Sequence, residues 1–196
     1  LKFPSKLFKN NNFDTLYTLN ANRFNFEQPG NNTINIKMGT FDIIGIITMA
    51  IGGALYLWTT RTNKGLVRSE NTEYQFKNEE GELKRYMADV SYIDFDKAPE
   101  DVQFKWKKRS PVAPTLAIEI LSSKKPIELK RNLTKMQQVW IKNGTDIGIV
   151  IDSFGKKYYV FENGKPEFVA EEIHKPFTHE LLPGYTGNFG IHADKL

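Results

Sequence analysis

The sequence contains no cysteine, which excludes a disulfide scaffold, a thiolate zinc centre and a cysteine nucleophile. Metal chemistry must therefore use carboxylates or the three histidines. Those histidines, His174, His179 and His192, lie in a loop-rich tail without the i, i+4 spacing of a helical zinc pair, and they read as surface residues. Also missing are a glycine-rich phosphate loop, a Gly-x-Ser-x-Gly elbow and a dinucleotide fingerprint. The first residues, Leu1-Lys2-Phe3-Pro4, show no apolar core with a small-residue cleavage site. Secretion is thus not expected, and a reducing, cytoplasmic setting is.

Charge of either sign is in short excess: 27 Lys+Arg against 23 Asp+Glu gives a net +4, a mild basic bias that suits nucleic acid without requiring it. The uncharged stretch Ile43 to Trp58 is shorter than the roughly 20 residues of a membrane span and carries Gly45, Gly52 and Gly53. A buried helix of a soluble domain is expected there, with no membrane partner.

What is present fits one globular domain over residues 1–196, since 40% of residues are hydrophobic and 26% charged. Residues 1–23 are rich in Asn and Phe and read as an N-terminal arm or short helix. Thr33 to Met38 alternates as a strand does, with a hairpin partner just before it. The apolar helix Ile43 to Thr60 closes at a basic turn in which Gly65 is the expected C-cap. Tyr86 to Phe95 and Leu116 to Leu121 read as strands. Leu129, Leu133, Met136 and Trp140 mark an amphipathic helix ending at Gly144. Asp146 to Asp152 and Lys156 to Glu162 follow as strands joined by Ser153-Phe154-Gly155, and Asn163-Gly164 opens a further hairpin. This order predicts an α/β (α+β) architecture, a mixed central sheet with flanking helices.

Two acids stand out. Asp89 interrupts the strand-like run Tyr86 to Ser91, and Glu119 sits among apolar neighbours in Leu116 to Leu121. A carboxylate in a strand buried on both faces is costly unless compensated. It is either half of a structural ion pair or, with Asp89 on a neighbouring strand, a ligand of one hard cation such as magnesium or manganese. Separately, Phe104-Lys105-Trp106-Lys107-Lys108-Arg109 interleaves aromatics with cations, which suits either a solvated loop or a nucleic-acid contact made by Lys105, Lys107, Lys108 and Arg109.

Several segments in order carry a resemblance. Ala88-Asp89-Val90-Ser91, Pro114 through Ser122, Lys135-Met136 leading to Asn143-Gly144, Ile149 to Asp152 and Leu181-Leu182-Pro183-Gly184-Tyr185 are similar to the Uma family of restriction-endonuclease-like proteins. The likeness runs from about Phe24 to Ile191 and includes Leu57-Trp58 and Asn63 to Val67 at the end of a first core helix. It implies a PD-(D/E)xK core in which Asp89 and Glu119 bind the divalent ion, Mg2+ or Mn2+, with the Ile120 carbonyl as a third ligand. Two departures accompany it: Ala88 stands where a proline is usual, and Leu121 where a standard motif has its lysine. Relatives often carry that lysine on the following helix, which points to Lys135, with Lys130 as competitor. Lys135, however, is nine residues before Gly144 where the family usually has eight, and strict counting puts Met136 in its place.

The reading that follows is metal-dependent hydrolysis of a nucleic-acid phosphodiester, DNA in preference, by a protein whose homodimerisation stays open. The alternative is a catalytically inactive nucleic-acid-binding or regulatory protein that keeps the nuclease fold.

Overall fold

The computed structural model describes residues 25–30, 33–37, 42–77, 80–107 and 109–196. The expected N-terminal arm and Lys108 lie outside these residues. Two sheets carry the architecture. The larger has six strands in the order β10-β9-β8-β7-β6-β3, from β3 (Gly65–Ser69), β6 (Val90–Asp94), β7 (Leu116–Ile120), β8 (Ile147–Asp152), β9 (Lys157–Glu162) and β10 (Val169–Glu172). The pair β7 and β8 is parallel, and the other neighbours are antiparallel. The smaller sheet has the order β2-β1-β5-β4, from β1 (Asn25–Gly30), β2 (Thr33–Lys37), β4 (Glu73–Lys77) and β5 (Leu83–Met87).

Alternation along β7 decides which face meets which helix. Leu116, Ile118 and Ile120 join Val90, Tyr92, Ile147, Ile149 and Ile151 in a core covered by α1 (Asp42–Thr62) and by tail residues Leu182, Tyr185 and Phe189. On the opposite face Ala117 and Leu121 join Val150 and Phe161 in a second core with Met136 and Trp140 of the helical segment after β7 and Tyr74 and Phe76 of the smaller sheet. Every β7 residue is buried, as its apolar run predicts.

Helix α1 extends the uncharged stretch at both ends to 21 residues, and by length and composition it could cross a bilayer. One side is committed to the sheet: Ile44, Ile47, Ile51, Leu55 and Trp58 are buried at helical spacing, and the Trp58 indole donates to the Pro183 carbonyl at 3.1 Å. The other side is exposed, with Met49 74% and Tyr56 60% accessible, so the expectation of a buried helix holds for one face.

Three local expectations need correction. Gly65 is not a C-cap. Asn63 takes the left-handed conformation (φ 50°) that ends α1, and Gly65 opens β3, where a Cβ would collide with the Ile93 carbonyl and the Tyr92 ring. Tyr86 to Phe95 is not one strand either. The chain leaves the smaller sheet after Met87 and enters the larger at Val90, with the bend at Ala88-Asp89. The helix before Gly144 is also not uniform. It runs as α3 (Pro126–Lys135), a π-helical turn (Met136–Trp140) and a 3₁₀ turn (Ile141–Asn143), and ends at Gly144 with φ 93°. A short helix, α2 (Glu100–Phe104), precedes β7.

Candidate active site

The bend that separates β5 from β6 also positions Asp89. The Asp89 N–H donates to the Ile118 carbonyl at 3.0 Å, and its Oδ2 accepts the Ile120 N–H at 2.7 Å. Its main chain and side chain thereby bracket Glu119 on β7. A charge-assisted bond of this kind fixes a carboxylate in place of a ladder partner. Since a strand residue sends its N–H and C=O to the same side, the Ile120 carbonyl also faces the Asp89 edge.

Glu119 is 4% exposed, and its burial is compensated by two donors on one oxygen. The Trp140 indole Nε1 donates to Oε1 at 2.8 Å, and the Lys135 ammonium lies 2.9 Å from the same atom. Lys135 also bonds Glu27 Oε1 at 2.8 Å and the Met87 carbonyl at 3.1 Å. Glu27, itself 6% exposed, accepts the Met87 N–H at 3.2 Å. Burial alone would pull the Lys135 pKa down, but Glu119 and then Glu27 outweigh it and hold the ammonium above its ordinary range. Lys135 is therefore a standing cation, set between a central strand of one sheet and an inner strand of the other.

The π turn explains how Lys135 reaches this place. A π turn holds one residue more than the α turn it replaces, and one residue is the excess in the Lys135-to-Gly144 spacing. Met136 faces inward: it is fully buried, and a Cβ on Gly148 of β8 would collide with its thioether. With Met136 seated on that glycine, Lys135 turns toward the smaller sheet. Trp140, edge-on to Tyr74 (5.3 Å) and Phe76 (5.8 Å), closes the other side of the turn. Lys130, by contrast, is exposed.

Asp89 is thus joined to Ile120 and Lys135 to Glu119, on successive residues of β7. The aromatic and basic segment is engaged elsewhere: Lys105 pairs with Asp101 at 2.7 Å on the surface, and Arg109 donates to the buried Glu73 at 2.7 Å. Lys107 is exposed. The histidines stay apart from the cluster in pairwise contacts, His179 with Glu162 at 3.5 Å and His174 with Asp194 at 3.6 Å. Glu27 is the residue that sequence reasoning missed. Its signal is faint, an acid between Phe26 and Gln28 in the partner strand of the first hairpin.

Whether a divalent ion fits can be judged from the donors. Among the described residues no three acids or histidines form a metal-binding group, so an all-protein cage of the calcium type is not offered. Two carboxylates and a main-chain carbonyl suit magnesium, which keeps several waters and shares its coordination with substrate phosphate. Glu119 Oε1 accepts two donors and Asp89 Oδ2 one, so both carboxylates are held in place by neighbouring groups.

No family model matches the sequence, and no curated protein matches it significantly. Among solved structures, the chain is similar to a protein from Anabaena variabilis ATCC 29413 described as a candidate nuclease belonging to DUF820. The TM-score is 0.67 at 15% sequence identity, over 85% of this chain and 90% of that one. At that identity the likeness is one of fold, a mixed α+β architecture that the two chains share.

Proposed function

We propose that the protein is a metal-dependent nuclease of the PD-(D/E)xK type, in which Asp89, Glu119 and the Ile120 carbonyl hold Mg2+ or Mn2+ and Lys135 is the active-site cation. The observation that carries this reading is the Lys135 ammonium 2.9 Å from Glu119 Oε1, reached through a turn that absorbs one extra residue. When bound, the ion neutralises phosphate charge and makes a coordinated water more acidic.

The chain's own groups divide the remaining work. Lys135, kept protonated by two carboxylates, cannot act as a base; held by Glu119, Glu27 and the Met87 carbonyl, its charge offsets the negative charge that develops on the phosphate. Glu27 holds the ammonium from the far side, and Trp140 fixes the Glu119 carboxylate through its indole N–H. The Ile120 N–H orients Asp89 in the same manner. Such preset dipoles need little reorganisation during reaction.

A second reading, an inactive nucleic-acid-binding protein that keeps the fold, is favoured by the double occupancy of Glu119 Oε1, which also suits a purely structural ion pair. Incubation of wild type and Asp89→Asn with labelled single- and double-stranded DNA and RNA, in magnesium, manganese or EDTA, tests the proposal. Cleavage that needs the metal and falls at least about 100-fold in the variant supports it; an equal trace of cleavage in both proteins, with or without EDTA, refutes it.

A further inference from the structure

We infer that the cavity beside the active site, between the β4–β5 hairpin and the π turn, holds the nucleotides next to the scissile phosphate of a single nucleic-acid strand. This inference rests on the nuclease reading and adds where the strand runs. The cavity has a volume of about 470 Å³ and is lined by Phe76, Lys77, Glu80, Lys84 and Tyr86 on the hairpin side, and by Gln138, Val139, Lys142 and Asn143 on the helical side. That volume lies within the usual range of ligand sites.

Continuity with the active site comes through shared walls. The Tyr86 ring lies 6.4 Å from Trp140, whose ring lies 5.8 Å from the Lys135 ammonium. Burial first and then the negative charge of Glu27 raise the Tyr86 pKa, with Lys135 opposing them. Along the helical segment Lys135, Val139 and Lys142 follow one another at about one turn each. Seven residues of helix span about 10 Å, the distance of the next nucleotide or two along a strand.

The lining chemistry matches that ligand. Tyr86 is half-buried and stacks on Phe76 with centroids 6.3 Å apart and planes at 27°, a platform of the kind on which bases stack. Among the described lining residues Lys77, Lys84 and Lys142 are cations and Glu80 is an acid. Lys84 also pairs with Glu82 at 2.8 Å. Gln138 adds an amide group that can meet base edges, whereas the Asn143 amide already donates to the Val139 carbonyl at 2.8 Å.

The test measures binding of a labelled 20-nucleotide single strand in EDTA across a salt series, for wild type, the triple variant Lys77→Gln/Lys84→Gln/Lys142→Gln, and Tyr86→Leu. The triple variant should flatten the salt slope by about 2, at about 0.7 per lost phosphate contact on single strands. Tyr86→Leu should bind about tenfold more weakly with the slope unchanged. Matching far-UV spectra and melting points establish that each variant is folded. Wild-type binding that persists with the same slope in the triple variant and the same affinity in Tyr86→Leu overturns the cavity assignment and leaves the nuclease reading standing. A wild type that binds no strand overturns the cavity assignment, and the nuclease reading then stands or falls on the metal-dependent cleavage assay. Displacement by a mononucleotide at the strand's own concentration would make a free nucleotide the ligand and overturn the strand assignment.

Discussion

The Lys135 ammonium lies 2.9 Å from Glu119 Oε1, and with that contact the helical segment after β7 turns back onto the strand it has just left. The same ammonium reaches Glu27 on β1, so a single cation joins the two sheets at the place where the acids converge. Structure and proposed chemistry therefore depend on the same group.

Replacement of Lys135 by methionine removes the shared partner of two buried carboxylates. Unfolding free energy should fall by about 3–5 kcal/mol, the usual result of leaving buried charge uncompensated, and cleavage should fall at least about 100-fold. Lys130→Met, at an exposed position, should change stability by no more than about 0.5 kcal/mol and leave turnover intact. Urea denaturation and single-turnover cleavage check the pair, and equal effects at the two positions would remove Lys135 from the site.

Deletion of Gln137 tests the π turn as a one-residue insertion. Without it, Lys135 stands eight residues before Gly144 and the segment can run as a regular α-helix. The deletion variant should stay folded and keep cleavage within about tenfold of wild type. A loss beyond about 100-fold, the scale set by small misplacement of a reacting group, would show that the π turn itself positions the lysine.

These two cases mark how far the sequence could be read. Glu119 was legible because a charge among Leu116, Ala117, Ile118, Ile120 and Leu121 needs a compensating partner, and both sheet faces at β7 are indeed covered. Asp89 was legible as an anomaly, but the run around it looked like one strand. That a side chain could take the Ile120 N–H and let the main chain change sheets at the bend is a tertiary event without a local pattern. The π turn was hidden because helical periodicity assumes 3.6 residues per turn, which left Lys135 and Met136 competing for one place. Glu27 was hidden because its partner lies 108 residues away. The Gly65 cap failed for a local reason, since Asn63 tolerates the left-handed region and the glycine answers a close approach of β6 instead.

Acid should loosen the corner that follows β7. Glu128 accepts the Ser122 N–H at 2.7 Å, the Ser122 hydroxyl at 2.8 Å and the Ser123 hydroxyl, tying the loop after Leu121 to the first turn of α3. Burial pushes its pKa up, but these three bonds, with Arg131, outweigh it and hold the carboxyl below its ordinary value. A depressed carboxylate pKa contributes stability that is present above the unfolded value, about 4.3, and is lost as pH falls through the folded value. Glu128→Gln should therefore cost about 1–3 kcal/mol at pH 7, and the gap to wild type should narrow below about pH 4. Urea midpoints from pH 7 to pH 3 check this, and a gap independent of pH would contradict it.

Calorimetric titration of Mn2+ into wild type, Glu119→Gln and Lys135→Met tests the central claim most directly. The account predicts saturable binding to the wild type, loss of that binding in Glu119→Gln, and binding at least as tight in Lys135→Met, where a neighbouring positive charge has been removed. Absence of Mn2+ binding by the wild type, or equal binding by wild type and Glu119→Gln, would contradict it and leave Glu119 as the buried half of a structural ion pair.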